Sequence, residues 1–404
     1  MPVGLTEPAA LTQINGVRLA SIACGIKNNG NDDLVVFQFD EGSVCASVFT
    51  QNAFCAAPVV VAKKHLALTS PRYFLINSGN ANAGTGEQGL LDARLSCQHL
   101  ADISNCLESE VIPFSTGVIG ETLPMDKLCS GIESIVPQLA ADNWLAAARG
   151  IKTTDIVAKA VSEQVEVNGE TITITGITKG SGMIHPNMAT MLCFIATDAN
   201  IDKTLLQNYL NRAVEKSFNS ITVDGDTSTN DACMLVATGK TQQTIEKETP
   251  GAQNFYQALD KVCTTLAQAI VRDGEGATKF VSVDVSQAKT YQEAKQVAYT
   301  IALSPLVKTA LFASDPNWGR ILAAVGRSGV KDFDIDKVNI YLDEVCIVEA
   351  GGKSVSYTEE QGQRVMNQAE ITIRVELARG DESAVVWTTD LSHDYVTINS
   401  EYRS

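Results

Sequence analysis

No run of about 18 uncharged apolar residues, the length a membrane-spanning helix needs, occurs in this chain. Basic residues are also in deficit. Lys and Arg number 31 against 47 Asp and Glu, a formal net charge of −16. Sequence-independent binding to nucleic acid or to an anionic membrane requires a basic surface, so neither partner is expected. A field of this sign favours a cationic small molecule. No CxxC spacing exists among the ten cysteines, which are scattered from Cys24 to Cys346, often inside apolar runs such as Leu192-Cys-Phe194. They read as free core thiols in a reducing cytoplasm rather than as a metal or disulfide framework. The start, Met-Pro-Val-Gly-Leu-Thr-Glu, has no basic region leading into an apolar stretch, so no signal or membrane anchor is expected. The four histidines, His65, His99, His185 and His393, form no triad or metal-ligand spacing.

What is present is enough for a sizeable core: 404 residues, 45% hydrophobic and 19% charged. That length exceeds what one core usually serves and implies two domains, a larger one over 1–285 and a smaller one over 286–404. The first 80 residues read as strands: Val17 to Ile26, Leu34 to Phe37, Ser43 to Thr50 and Tyr73 to Ile76. Helices are predicted from Leu90 to Ile103 and from Met125 toward Ala148, the second interrupted at Pro137. Asn168-Gly169, between the alternating runs Val165–Val167 and Glu170–Thr175, predicts a hairpin with a type I′ turn. Helices from Lys203 to Phe218, Ala252 to Val271 and Tyr291 to Leu303 follow from apolar spacing of three and four. Late strands are predicted at Phe280 to Val285, Asn339 to Val348, Glu370 to Leu377 and Ala384 to Thr389.

The segment Lys179-Gly-Ser-Gly-Met-Ile-His-Pro-Asn-Met-Ala189-Thr190 is the most informative stretch. Its glycines and Pro186 read as a constrained loop, and Met191 to Ala196 reads as a buried strand. A hydroxyl therefore stands where a loop enters the core. If Thr190 is cut free as a new N-terminus, its α-amino group, with a reference pKa of about 7.7 to 8.0, is the base that activates its own hydroxyl. His185 competes as a base, but the amine already serves, and a shaping role suits it.

Two other motifs suggest other chemistry. Gly84-Thr-Gly86-Glu-Gln-Gly89 lies between a strand and a helix, as a dinucleotide fingerprint would, but Asn77 to Ala83 intervene where a tight turn is needed. Asp224-Gly-Asp226-Thr-Ser228 is similar to the motif of a phosphatase with an aspartyl nucleophile and Mg²⁺, except that its fifth position is Ser228.

With these residues in view, the chain resembles the ornithine acetyltransferase family, also called glutamate N-acetyltransferase. The resemblance covers nearly the whole chain: the segment ending in Thr190, Ser115-Thr116-Gly117-Val-Ile-Gly120, Asp224 to Asp231, Asp315-Pro-Asn-Trp-Gly-Arg320 and the ending Thr397 to Ser404. It implies a layered α/β fold that cuts itself between Ala189 and Thr190 into fragments 1–189 and 190–404, which pair into an α2β2 or larger assembly. It also implies ping-pong transfer of acetyl from N²-acetylornithine through Thr190 to glutamate, releasing ornithine, with no metal or nucleotide cofactor and with acetyl-CoA as a further candidate donor. Thr116 and Gly117 would form the oxyanion hole; Thr153, Lys179, Glu275, Asn399 and Ser404 would line the substrate pocket with Thr190. A carboxylate suits the amino groups of ornithine, and a lysine suits an amino-acid carboxylate. A related hydrolase would differ in losing the acyl group to water.

Overall fold

A computed structural model describes residues 2–185 and 191–401. Two compact units emerge, one of Glu7–Asn219 with Asp226–Ile270, the other of Met1–Thr6, Ser220–Gly225 and Val271–Ser404.

Alternation along the strands builds the larger unit. One sheet has the order Val17–Ile22, Leu34–Phe39, Tyr73–Asn80, Val111–Val118, antiparallel except for its last, parallel pair. The other has the order Val44–Phe49, Ala232–Ala237, Leu192–Thr197, Glu170–Lys179, Lys159–Val167, with Ala232–Ala237 and Leu192–Thr197 parallel. Val35, Phe37 and Phe39 share one strand face and join Phe74, Phe114, Phe194 and Met234 in a single cluster between the two sheets. Phe114 and Phe194, one from each sheet, meet edge to face with ring centroids 4.9 Å apart. Leu34 and Val36 point the other way, into a cluster with Leu100, Leu128 and Ile132 from the helices Gly86–Ser104 and Met125–Ile135. On the far face of the second sheet lies the helix Pro250–Arg272, so close that a Cβ on Gly176 would come within 2.9 Å of Leu266. The layered α/β architecture is as expected.

One expectation needs correction. The first 80 residues are not all strand, since Ala57–Leu68 is a helix. Its Val59-Val60-Val61 run has strand propensity, but Pro58 fits a first helical turn and Val59, Ala62 and His65 bury one face. The interruption expected at Pro137 is present: the second helix stops at Ile135, passes through a 3₁₀ turn at Val136–Gln138 and resumes as Trp144–Gly150. The Asn168-Gly169 hairpin forms as expected, joining Lys159–Val167 to Glu170–Lys179 with φ of +53° and +84° at the two turn residues.

The smaller unit holds one six-stranded sheet in the order Gly352–Lys353, Val345–Glu349, Asn339–Leu342, Glu370–Glu376, Phe280–Ala288, Glu382–Thr389. Phe280–Ala288 sits inside that sheet, parallel to Glu370–Glu376, and the unit's long final segment starts at Val271, where the sequence reading put the boundary near 285. Val281, Val283 and Val285 pack with Ala294, Val297 and Ile301 of the helix Tyr291–Ala302.

Candidate active site

Strand ends position the site in the larger unit. Tyr73–Asn80 and Val111–Val118 are parallel and in register, placing Asn77 beside Ser115, Ser78 beside Thr116 and Gly79 beside Gly117 at their carboxyl ends. Polar groups replace apolar ones here, and each is bonded. Ser115 Oγ donates to Asn77 Oδ1 at 2.6 Å, Asn77 Nδ2 donates to the Asn80 carbonyl at 2.9 Å, and Asn230 Nδ2 donates to the Ser115 carbonyl at 2.9 Å. Gly117 has φ +138°, and a Cβ there would lie 2.3 Å from the Gly79 carbonyl carbon and 2.5 Å from the Asn80 nitrogen. Backbone cannot yield as a side chain can, so only glycine fits.

Lys179 ends the strand Glu170–Lys179, where it pairs with Leu192, and its Nζ donates to Thr116 Oγ1 at 3.3 Å. A threonine oxygen that accepts from an ammonium keeps its own O–H as a donor toward a third group. Thr153 is tied to the same place through Asp155. One oxygen of that carboxylate accepts the Thr153 N–H at 3.0 Å, and the other accepts Gly180 N–H at 2.7 Å and Lys159 Nζ at 2.6 Å. The Asp155 and Lys159 side chains are both fully buried. Burial pushes the Asp155 carboxyl upward, but the Lys159 and Lys179 ammonium groups outweigh it and hold the group below the usual carboxylate range.

Asp231 behaves in the opposite way. Burial pushes its carboxyl well above the ordinary range, against bonds from Ser228 and the Met191 N–H and the pull of Lys179. Its Oδ2 has no hydrogen-bond partner among the described residues. Burial of this kind favours the neutral form of the carboxyl.

In the smaller unit, Asn399 on the helix His393–Ser400 donates from Nδ2 to Glu275 Oε2 at 2.8 Å, and Ser392 Oγ donates to the Gly276 carbonyl at 2.6 Å. The helix start is thereby stitched to the Asp273–Gly276 loop. Thr116, Gly117, Thr153 and Lys179 are brought together in one unit, and Glu275 and Asn399 pair in the other. Ala189, Thr190 and Ser404 lie outside the described residues. Reasoning from sequence passes over Asn77, Asp155, Lys159 and Asn230. The Asn-rich stretch from Asn77 to Asn82 is their one visible signal, since buried amides at a strand end need partners. Two of the histidines have structural partners: His65 Nδ1 meets the Val111 carbonyl at 2.8 Å, and His99 lies 3.3 Å from Glu133. No cluster of metal ligands exists among the described residues, and no described helix is long and apolar enough to cross a membrane.

At these strand ends a close-packed glycine lies beside a threonine whose oxygen accepts from an ammonium, and donors so arranged suit the chemistry of acyl-transfer enzymes. The particular kind follows from comparison. The ArgJ family profile matches residues 18–404, and the chain belongs to that family. The arginine biosynthesis bifunctional protein ArgJ of Pseudomonas syringae pv. tomato is 54% identical over 408 residues, covering 100% of both chains, and that of Methylococcus capsulatus is 56% identical over 395 residues, 98% of this chain and 97% of its own. Among solved structures, the ArgJ protein of Bacillus halodurans is 40% identical with a TM-score of 0.49 and covers 51% of this chain and 96% of its own. Ornithine acetyltransferase of Mycobacterium tuberculosis, complexed with ornithine, is 33% identical with a TM-score of 0.39 and covers 45% of this chain and 96% of its own.

Proposed function

We propose that this protein is a glutamate N-acetyltransferase of arginine biosynthesis that moves acetyl from N²-acetylornithine to glutamate through an acetyl-Thr190 intermediate. Full-length identity above one half to proteins named for arginine biosynthesis supports the pathway. The observation that carries the mechanism is Lys179 on Thr116 beside Gly117. Thr190 Oγ attacks the Ala189 carbonyl and the peptide C–N bond breaks as the acyl group shifts from nitrogen to oxygen; water then hydrolyses the resulting ester, leaving the Ala189 carboxylate and the free Thr190 hydroxyl, and the freed amine becomes the base that takes the hydroxyl proton in each later cycle. Thr116 O–H and the Gly117 N–H face the oxygen that turns negative, first in self-cleavage and then in both halves of acetyl transfer. Each such donor is typically worth about 3 to 4 kcal/mol. Lys179 and Thr153 hold the amino acid. The relatives are named bifunctional, and we take acetyl-CoA as the second donor to glutamate. The two fragments of one precursor associate as α2β2 or larger, in the cytoplasm.

Intact-mass measurement of fresh protein tests the processing: pieces of 189 and 404 − 189 = 215 residues are expected. Withholding glutamate should leave one acetyl group on the larger piece, and double-reciprocal plots should be parallel. Thr190→Ala should remain uncut and inactive. Acetyl exchange by that variant, or intersecting plots without an acetylated fragment, overturns the reading.

A further inference from the structure

The loop from Cys24 to Asp33 closes on a buried carboxylate, since the N–H groups of Cys24 and Lys27 donate to Asp33 at 2.7 and 2.9 Å. Closure throws the Lys27 side chain over the end of the strand Tyr73–Asn80, the neighbour of the strand that carries Thr116 and Gly117. A Cβ on Gly79 would lie 3.0 Å from Lys27 Cγ, and Gly79 is the register partner of Gly117. Lys27 Nζ donates to the Asp32 carbonyl at 2.8 Å and to the Gly150 carbonyl at 3.4 Å. The Gly150 carbonyl also accepts from Ser78 Oγ at 2.6 Å, so the ammonium is fixed at the same strand ends.

Its surroundings are unusual for a chain with 47 acidic and 31 basic residues. Burial lowers the Lys27 pKa to about 8. Asp33 and Asp155 oppose that shift, and the like charges of Lys179 and Lys152 add to it. Backbone carbonyls satisfy its N–H groups without neutralising its charge. Like charges gathered beside an acyl-transfer site carry an electrostatic cost that an anionic ligand would offset.

We propose that Lys27 is a second ammonium contact, with Lys179, for the α-carboxylate that N²-acetylornithine and glutamate share. This rests on the acetyl-transfer reading above. A ping-pong site must accept an ammonium tail from one substrate and a carboxylate tail from the other, so a fixed pair of lysines is best matched to the group common to both. A lysine that merely anchored the end of the helix Trp144–Gly150 would bear on folding and not on which substrate group is recognised.

Steady-state kinetics of the self-cleaved full chain separate these roles. Lys27→Met should raise KM for both substrates by about 10- to 100-fold, the size of one charge-assisted hydrogen bond, with kcat within about threefold. As competitive inhibitors, glutamine, whose side-chain carboxylate is an amide, should keep that penalty, and isoglutamine, whose α-carboxylate is an amide, should lose it. In the wild type kcat/KM should fall above about pH 8 as Lys27 loses its proton, and Lys27→Arg should move that limb upward. Unchanged KM, an equal penalty for both amides, a penalty lost with glutamine instead, or kcat falling along with the extent of self-cleavage each overturns the assignment. If the wild type itself transfers no acetyl between the two substrates, the acetyl-transfer reading fails and this proposal with it. A working wild type beside an indifferent Lys27→Met removes Lys27 alone.

Discussion

Both units bury lysine, and Lys159 and Lys308 solve the problem differently. In the larger unit Lys159 meets the Asp155 carboxylate at 2.6 Å, and that pair also collects the Thr153 and Gly180 amides. In the smaller unit Lys308 donates instead to neutral oxygens, the Thr388 hydroxyl at 3.1 Å and the carbonyl of Thr389. Burial pushes the Lys308 pKa down to about 8, with Asp390 and Asp224 acting against it. Hydrogen-bond satisfaction and charge satisfaction are therefore separate conditions: neutral acceptors meet the first and leave much of the second unmet. The charged pair lies beside the Thr153 and Gly180 backbone amides, which its carboxylate holds in place.

The largest expected effect comes from disrupting the charged pair. Asp155→Asn keeps the shape and strands the Lys159 charge, which should cost about 3 to 5 kcal/mol in urea denaturation. Loss of acetyl transfer should accompany it, because the Thr153 and Gly180 amides lose their shared anchor. A cost below about 1 kcal/mol would mean the pair contributes little. The sign with pH is also fixed. A carboxyl held below its ordinary value stabilises the fold above about pH 4 and loses that contribution as pH falls further.

Lys308→Met probes the arrangement in the smaller unit. Between about pH 8 and the ordinary lysine value of 10.5, the unfolded chain holds a proton that the folded chain has released, so wild-type stability should rise with pH across that window. Roughly 3 kcal/mol is at stake for a shift of this size. The stability difference between wild type and Lys308→Met, measured from pH 7 to 10.5, should contain that rise. A flat difference would show the lysine charged throughout.

Asp231→Asn is expected to have the smallest effect, within about 1 kcal/mol at neutral pH, and in the stabilising direction. A carboxyl raised by burial supports the fold below its unfolded value of about 3.9 and loses that support as pH rises toward its folded value. The Tm advantage of the asparagine variant should therefore be absent near pH 3 and grow from pH 4 upward. A variant less stable than wild type at pH 7 would mean that the carboxyl is ionised and valued as such.

Local signals are legible in the order of residues alone. Asn168-Gly169 specifies its hairpin because a type I′ turn needs positive φ at two neighbouring residues, and apolar spacing finds the helices Lys203–Lys216 and Pro250–Arg272. Ala57–Leu68 escapes a local reading because a run of three valines outweighs one proline, although one face of the helix is buried against the rest of the unit. The helices Pro305–Phe312, Trp318–Gly326 and Glu359–Met366 are too short for periodicity to stand out.

The layered α/β class, the family, and the choice of threonine, glycine and lysine to consider are all written in the chain itself, because strand alternation, turn chemistry and a long specific motif are local properties. Why position 117 must be glycine is not local, since the obstacle is the backbone of Gly79 and Asn80 on a neighbouring strand. Nor is the bond from Lys179 to Thr116 across 63 residues, the role of Asp155 in joining Thr153 to Gly180, or the return of Lys27 over Gly79. Those relations arise in three dimensions, where strands distant in the chain end side by side, and burial there sets the strength of every charge.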